Sequence, residues 1–393
     1  MPAGMAAFSQ GEYDRRIAKT RRAMEAAGLD AIFVTDPSNM AWLTGYDGWS
    51  FYVHQGVILT GEGAPHWWGR GMDSNGARRT VWMEDENIHA YADHYVQSTT
   101  DHPMEDLCAL MARLGLAGAR IGVEMENYYY SAKAHAVIVA GMGNARIEDA
   151  TALVNWQRTV KSDEELDFMR RAARIAEKVM QVAIERAAPG VRKNDLVADI
   201  LHAGITGVGE DWGDYTAIVP MTPSGLDATA AHLTWDGREM RAGEATFFEL
   251  AGCYWRYHTP ICRTVHLGKT PQKMRDASEA LNEGLAAGIE AARAGNRACD
   301  VANALGAALE KAGIKRGARC GYPIGLSYPP DWGERTISFR DTDETVLEPG
   351  MTFHFMPGIW MDDWGLETTE PMLITPDGPA EPFCSIPRQI FEK

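Results

Sequence analysis

Residues 246–264, TFFELAGCYWRYHTPICRT, read as two strands folded back on each other around Cys253 to Tyr257. The first strand, FFELAGC, is apolar except for one acid, Glu249, held between Phe248 and Leu250. A buried carboxylate needs a partner, because stripping an unpaired charge of water is costly. Two readings follow. Glu249 pairs with a neighbouring arginine such as Arg256 or Arg263, or it faces a ligand that brings positive charge.

Working outward, the strand-like stretches TAIV (216–219), MTFHFMP (351–357) and PMLIT (371–375) flank this hairpin. They interleave with helical stretches at 271–294 and 299–312, which predicts an α+β domain, an antiparallel sheet with helices on one face. Just upstream, residues 157–190 form a long helical pattern opened by Ser162 with three acids behind it and stopped at Gly190. Ahead of it the pattern changes. GEYDRRIAKTRRAMEAAG (11–28) is an amphipathic helix with Tyr13, Ile17 and Met24 on one face and Gly28 at its end. AIFVT, YVHQGVIL and ARIGVEM read as buried strands, with helices near 105–115 and 131–141. That describes a smaller α/β domain, so the expected division is 1–156 and 157–393.

The 393 residues suit two domains, and 45% hydrophobic with 23% charged residues suits an ordinary globular chain. No run approaches the roughly 18 apolar residues of a membrane span. MPAGMAAFSQGEYDRR lacks the basic start and apolar stretch of a secretory signal. Six cysteines without short paired spacings fit reduced thiols in a cytoplasm. A formal charge of −16 with no basic stripe excludes nucleic acid as the expected partner.

Six segments carry a resemblance: RTVKSDEELDFMRRAARIA, SGLDATAAH, CRTVHLG, GYPIGL, TVLEPGMTFHFMPGI and EPMLITPDG. In this order and spacing, from about 158 to 378, the chain resembles the creatinase/aminopeptidase P/methionine aminopeptidase superfamily of pita-bread fold. The smaller domain resembles the one that creatinases and prolidases carry. Metallopeptidases of that superfamily bind two divalent ions through two aspartates, a histidine and two glutamates. Those positions fall here on Glu249, Pro260, Tyr322, Met356 and a place near Thr369, with Glu367 or Glu370 within reach of the last. Proline and methionine are not ligands for hard cations, and tyrosine replaces imidazole poorly. No metal or other cofactor is therefore expected.

Creatinases keep the fold without metal and hydrolyse a C–N bond. Their catalytic histidine lies in a segment matching SGLDATAAH, which places His232 there. Cys262 and Met356 stand where they carry substrate-binding glutamates, so creatine is not the expected substrate. Longer stretches, NMAWLTGYDGWSFYVHQ, WWGRGMDSNGARRTV, YPPDWGERT and EPFCSIPRQI, resemble the ectoine hydrolases, a branch that opens a cyclic amidine. The resemblance implies hydrolysis of ectoine, and of hydroxyectoine, to N-acetyl-2,4-diaminobutyrate.

An amidinium and a carboxylate on one substrate call for an acidic or π-rich wall and an arginine. Glu249 is the expected nucleophile or holder of water, His232 the general acid or base, and Tyr322 a hydrogen-bonding partner of the tetrahedral centre. Arg335, with Arg263 as second choice, is expected on the carboxylate. Trp49, Phe51, Tyr254 and Glu367 complete the expected substrate-binding set. Cys262 reads as a buried inert thiol before it reads as a nucleophile. By resemblance the protein is a homodimer, with one subunit's N-terminal segment near the other's site. Three other readings stay open: another amidinohydrolase of creatinase type, an X-Pro metallopeptidase whose displaced ligands include Glu367 and Glu370, and a non-catalytic binder.

Overall fold

The computed structural model describes residues 7–315 and 317–393. Residues 1–6, the start of the segment read for a secretory signal, lie outside it. The chain divides into two compact units, with the boundary between Gln157 and Arg158. Among the described residues no helix is long and apolar enough to cross a membrane.

The first unit runs α1 (Gln10–Ala27), β1 (Ala31–Val34), α2 (Pro37–Thr44), β2 (Gly56–Thr60), β3 (His66–Arg70), α3 (Ser74–Thr80) and β4 (Ile88–Tyr91). It continues with α4 (Pro103–Arg113), β5 (Arg120–Val123), α5 (Ala132–Gly141), β6 (Arg146–Asp149) and α6 (Leu153–Arg158). Ser9 caps α1 and Gly28 ends it at φ 67, a left-handed conformation that glycine adopts without a side-chain clash. The six strands form one mixed sheet in the order β4-β3-β2-β1-β5-β6. Alternation along β1 sends Ile32 and Val34 into one core and Ala31 and Phe33 into the other, so the sheet is covered on both faces.

The second unit contains α7 (Asp163–Arg186), α8 (Lys193–Thr206), β7 (Ala245–Tyr254), β8 (Tyr257–His266), α9 (Gln272–Ala291), α10 (Ala298–Lys311) and β9 (Gly321–Pro323). Then follow β10 (Thr352–Phe355), β11 (Gly358–Trp360), β12 (Gly365–Glu367), β13 (Glu370–Leu373), β14 (Glu381–Pro382) and β15 (Phe391–Glu392). The opening stretch is the β7–β8 hairpin, turned at Trp255 and Arg256 with φ of 48 and 64. Helices α7 and α8 cover one face of it, where Ile175, Val179 and Ile200 meet Phe248, Leu250 and Ile261. Helices α9 and α10 cover the β14-β13-β10-β9 sheet, where Leu281, Leu285 and Leu305 meet Phe353, Phe355 and Met372.

Two expected details differ. Helix α7 has the expected start, a capping box between Ser162 and Glu165. It ends at Arg186 rather than at Gly190. Pro189 cannot donate to the helix ladder and disfavours helical backbone just ahead of it. TAIV forms no strand. The Ala217 N–H donates to His258 Nε2 and the Thr216 hydroxyl to the Ile218 carbonyl, so this backbone is satisfied without a sheet partner.

Candidate active site

Glu249 stands on the face of β7 turned away from α7 and α8. In the hairpin register it lies opposite Cys262. On its other edge its backbone exchanges two hydrogen bonds with Met221, at 3.0 and 3.1 Å. Both neighbours leave the residue only 6% exposed. That burial raises its carboxyl pKa to about 7. Glu367, at the end of β12, lies against the Cys262 thiol and feels the charge of Glu249. Its pKa is pushed well above the carboxylate range, by burial first and Glu249 second. Cys262 is itself pushed well up by burial, so it is a thiol rather than a thiolate nucleophile. Two acids thus share one dry recess, and among the described residues neither is ion-paired.

Tyr322 comes to the same recess from β9, close enough for the charge of Glu249 to act on it. Its hydroxyl belongs to a chain of hydrogen bonds. Trp332 Nε1–H donates to Tyr322 Oη at 2.7 Å. His354, its register partner on β10, places Nδ1 3.1 Å from that oxygen. His354 Nε2 lies 2.7 Å from Thr369 Oγ1, which accepts the Cys262 N–H at 2.8 Å. Burial holds the His354 pKa down to about 3, so the ring is neutral. A cavity of about 510 Å³ opens nearby, lined by Arg319, Met356 and Trp360, with Arg319 lying 4.7 Å from the Tyr322 ring centroid.

His354, Trp332 and Thr369 were not among the expected site residues. His354 carried the signal that singled out Glu249, one polar residue in an apolar strand, here MTFHFMP. Trp332 lay in the quoted YPPDWGERT stretch and Thr369 near the superfamily's last glutamate position, but neither residue type by itself suggested a role.

The residues at the superfamily's metal positions do not fit two hard cations. Pro260 faces Ala251 and offers no side-chain donor. Tyr322 Oη and Thr369 Oγ1 are committed to the chain above, and Met356 offers only a soft thioether. Among the described residues no three His, Cys, Asp or Glu side chains are placed to hold a metal ion.

Other expected residues fall elsewhere. Arg263 projects from β8 on the face opposite to Cys262 and is fully buried. Its guanidinium pairs with Glu370 at 2.5 Å and donates to the carbonyls of Cys262, Thr369, Ile386 and Pro387. It is saturated and does not reach a substrate carboxylate. Glu370 is held by Arg263 and Arg388 on that far side, which removes it from any displaced ligand set. Tyr254 also faces α7, in an aromatic cluster with Phe168 and Trp212, because it alternates out of phase with Glu249. His232 lies exposed in the turn after the short helical segment Gly225–Thr229, and no hydrogen bond or ion pair joins it to Glu249. Arg335 is exposed, with φ 57, on the loop that carries Trp332. Trp49 and Phe51 belong to the first unit, where their rings meet edge-on at 4.8 Å and Phe51 rests on Tyr129.

Comparison with known proteins identifies the family. Residues 16–160 match the creatinase/prolidase N-terminal domain and residues 167–376 match metallopeptidase family M24. The chain is 53% identical over 397 residues to an ectoine hydrolase of Halomonas elongata, covering 98% of both chains. It is 38% identical, again over 98% of both, to an uncharacterised hydrolase/peptidase of Sinorhizobium fredii. A prolidase structure from Thermococcus sibiricus superposes with a TM-score of 0.84 at 18% identity, covering 97% of this chain and 99% of that one. The chain therefore belongs to the M24 family of pita-bread hydrolases, with a creatinase/prolidase domain ahead of a catalytic unit in which two buried acids stand beside a tyrosine.

Proposed function

We propose that this hydrolase opens the ring of ectoine to N-acetyl-2,4-diaminobutyrate, and that of hydroxyectoine to the corresponding hydroxylated product, without a metal ion. The observation that carries the reading is the recess with Glu249 and Glu367. Two buried carboxyls with no cationic partner among the described residues lack one positive charge, and a cyclic amidinium supplies it in a flat form that hydrogen-bonds carboxylates. The name of the Halomonas relative supports the same substrate.

In this reading Glu249 ionises as the amidinium enters. It then attacks the amidine carbon or orients the water that does. Tyr322 serves the tetrahedral centre, and Glu367 lies against the remaining face of the cation. His232 acts as acid or base once the segment behind Gly225–Thr229 closes over the bound ring. Arg335 takes the substrate carboxylate. The protein works as a cytoplasmic homodimer, with Trp49 and Phe51 of one subunit closing the other's site.

Incubating the purified protein with ectoine and following N-acetyl-2,4-diaminobutyrate by NMR tests this. Turnover is expected to survive exhaustive chelation. No product with or without added manganese, zinc or cobalt would overturn the reading, and cleavage of X–Pro peptides with bound metal would replace it. The same assay on the methylated ring without its carboxyl group measures the contribution of Arg335.

A further inference from the structure

Hydrogen-bond bookkeeping around Tyr322 gives its hydroxyl a direction. Four groups are linked in series: Trp332 Nε1, Tyr322 Oη, the His354 ring, and Thr369 Oγ1 with the Cys262 N–H behind it. Trp332 Nε1–H and the Cys262 N–H are donors only. The neutral imidazole carries one hydrogen, and each hydroxyl has one hydrogen to give. Only two arrangements satisfy these rules.

In the first, Tyr322 donates to His354 Nδ1 and His354 Nε2–H donates to Thr369 Oγ1. Thr369 Oγ1 then receives two hydrogens, and its own hydrogen has no acceptor in the chain. Thr369 has no exposed surface, so this strands a donor where water does not reach. In the second, Thr369 O–H donates to His354 Nε2 and His354 Nδ1–H donates to Tyr322 Oη. Tyr322 Oη then receives two hydrogens and its own hydrogen is left for the recess, where Tyr322 keeps 6% of its surface exposed while Thr369 keeps none. Stranding a buried donor costs about 1–3 kcal/mol, which selects the second arrangement.

We propose that His354, held in its Nδ1–H form by Thr369, is a positioning residue that makes Tyr322 an obligate hydrogen-bond donor to the reacting centre. The inference rests on the amidine reading above. Every nitrogen of a ground-state amidinium is already a donor, so a phenolic O–H has nothing to bind there. When the amidine carbon becomes tetrahedral, its nitrogens gain lone pairs, and the same O–H then finds an acceptor. The contact exists only on the way to the transition state, so it appears in kcat rather than KM. Burial and the charge of Glu249 hold the Tyr322 pKa well above its ordinary value, which keeps the donor hydrogen in place.

The first test needs no turnover. In histidine-15N-labelled protein, with the His354 signal identified by its loss in His354→Phe, the free enzyme should show the Nδ1–H tautomer. Thr369→Val offers no acceptor to an Nε2–H, so it should keep the Nδ1–H form and move only the Nε2 nitrogen signal, which loses its hydrogen-bond donor, and Thr369→Ser should restore that signal. An Nε2–H ring in the wild-type enzyme overturns the proposal whatever the substrate is. The second test is kinetic. His354→Phe should lower kcat on ectoine roughly 10–100-fold with KM within about threefold, whereas Thr369→Val, which leaves the Nδ1–H on Tyr322, should cost less. In a Tyr322→Phe background His354→Phe should cost nothing further. An undiminished loss in that background, or a loss confined to KM, overturns the proposal. Wild-type protein inert toward ectoine but showing the Nδ1–H tautomer would sink the substrate reading and leave the hydrogen-bond assignment standing.

Discussion

Glu249 carries the main tension of the molecule. Its pKa rises to about 7 in the folded chain against an ordinary value near 4.5, so the fold holds a proton that the unfolded chain has already lost. A raised carboxyl contributes its stability at low pH and loses it as pH rises through the folded value. Glu249→Gln keeps the shape and removes the charge. The variant should match wild type near pH 4 and become more stable above pH 7, by up to about 3 kcal/mol. Thermal unfolding across pH 4–8 checks this, and an equal gap at both ends would show that Glu249 has a partner after all. The same substitution should abolish ectoine turnover. In the wild-type enzyme kcat/KM should climb through a limb near pH 7, because the ionised carboxylate is the working form. Stability and activity therefore move in opposite directions at one residue.

At the scale of elements, the β7–β8 hairpin separates structure from chemistry by its two faces. One face holds Phe248, Leu250, Ile261 and Arg263, given to helices and to the Glu370 pair. The other holds Glu249 and Cys262. Helix α7 crosses this hairpin so closely that a Cβ on Gly252 would stand 2.0 Å from the Ala172 carbonyl oxygen, backbone that has no room to yield. Gly252→Ala should therefore cost about 3 kcal/mol or more, read as a lowered denaturation midpoint with an unchanged slope. An effect below 1 kcal/mol would mean that α7 shifts freely on the hairpin. Because that contact sits three residues from Glu249, the variant should also lose activity beyond its loss of folded protein. Strand β10 repeats the device. Phe353 and Phe355 face α9 and α10, while His354 between them reaches Tyr322 and Thr369.

For the whole molecule, the aromatic segment of the first unit bears on assembly. Trp49, Tyr52 and Tyr128 are each more than 60% exposed, a surface that water tolerates poorly. If this surface serves a second copy's site, Glu249→Gln and the pair Trp49→Ala/Phe51→Ala should each be inactive alone. Refolded together they should regain about a quarter of wild-type activity, since random pairing leaves one intact site in half of the dimers. No recovery on mixing would confine the site to one subunit. Much of this protein was legible in its residues. The spacing of helical and strand patterns marked an α/β unit ahead of an α+β unit, and Pro260 and Met356 announced a lost ligand set through their chemistry alone. Side-chain period 2 even held the fate of Arg263 and Tyr254, which a reading by residue type passed over. What the residues did not disclose was which distant groups meet. Glu367, His354, Trp332 and Thr369 are separated from Glu249 by more than eighty residues, and no local preference links them. Only the packing of the hairpin, β9, β10 and β12 brings them together, because burial and directed hydrogen bonds depend on tertiary neighbours. The sequence by itself determined the scaffold and which residue types stand at the superfamily's metal positions. The tertiary structure decided that a dry pair of acids and an oriented tyrosine stand in its place.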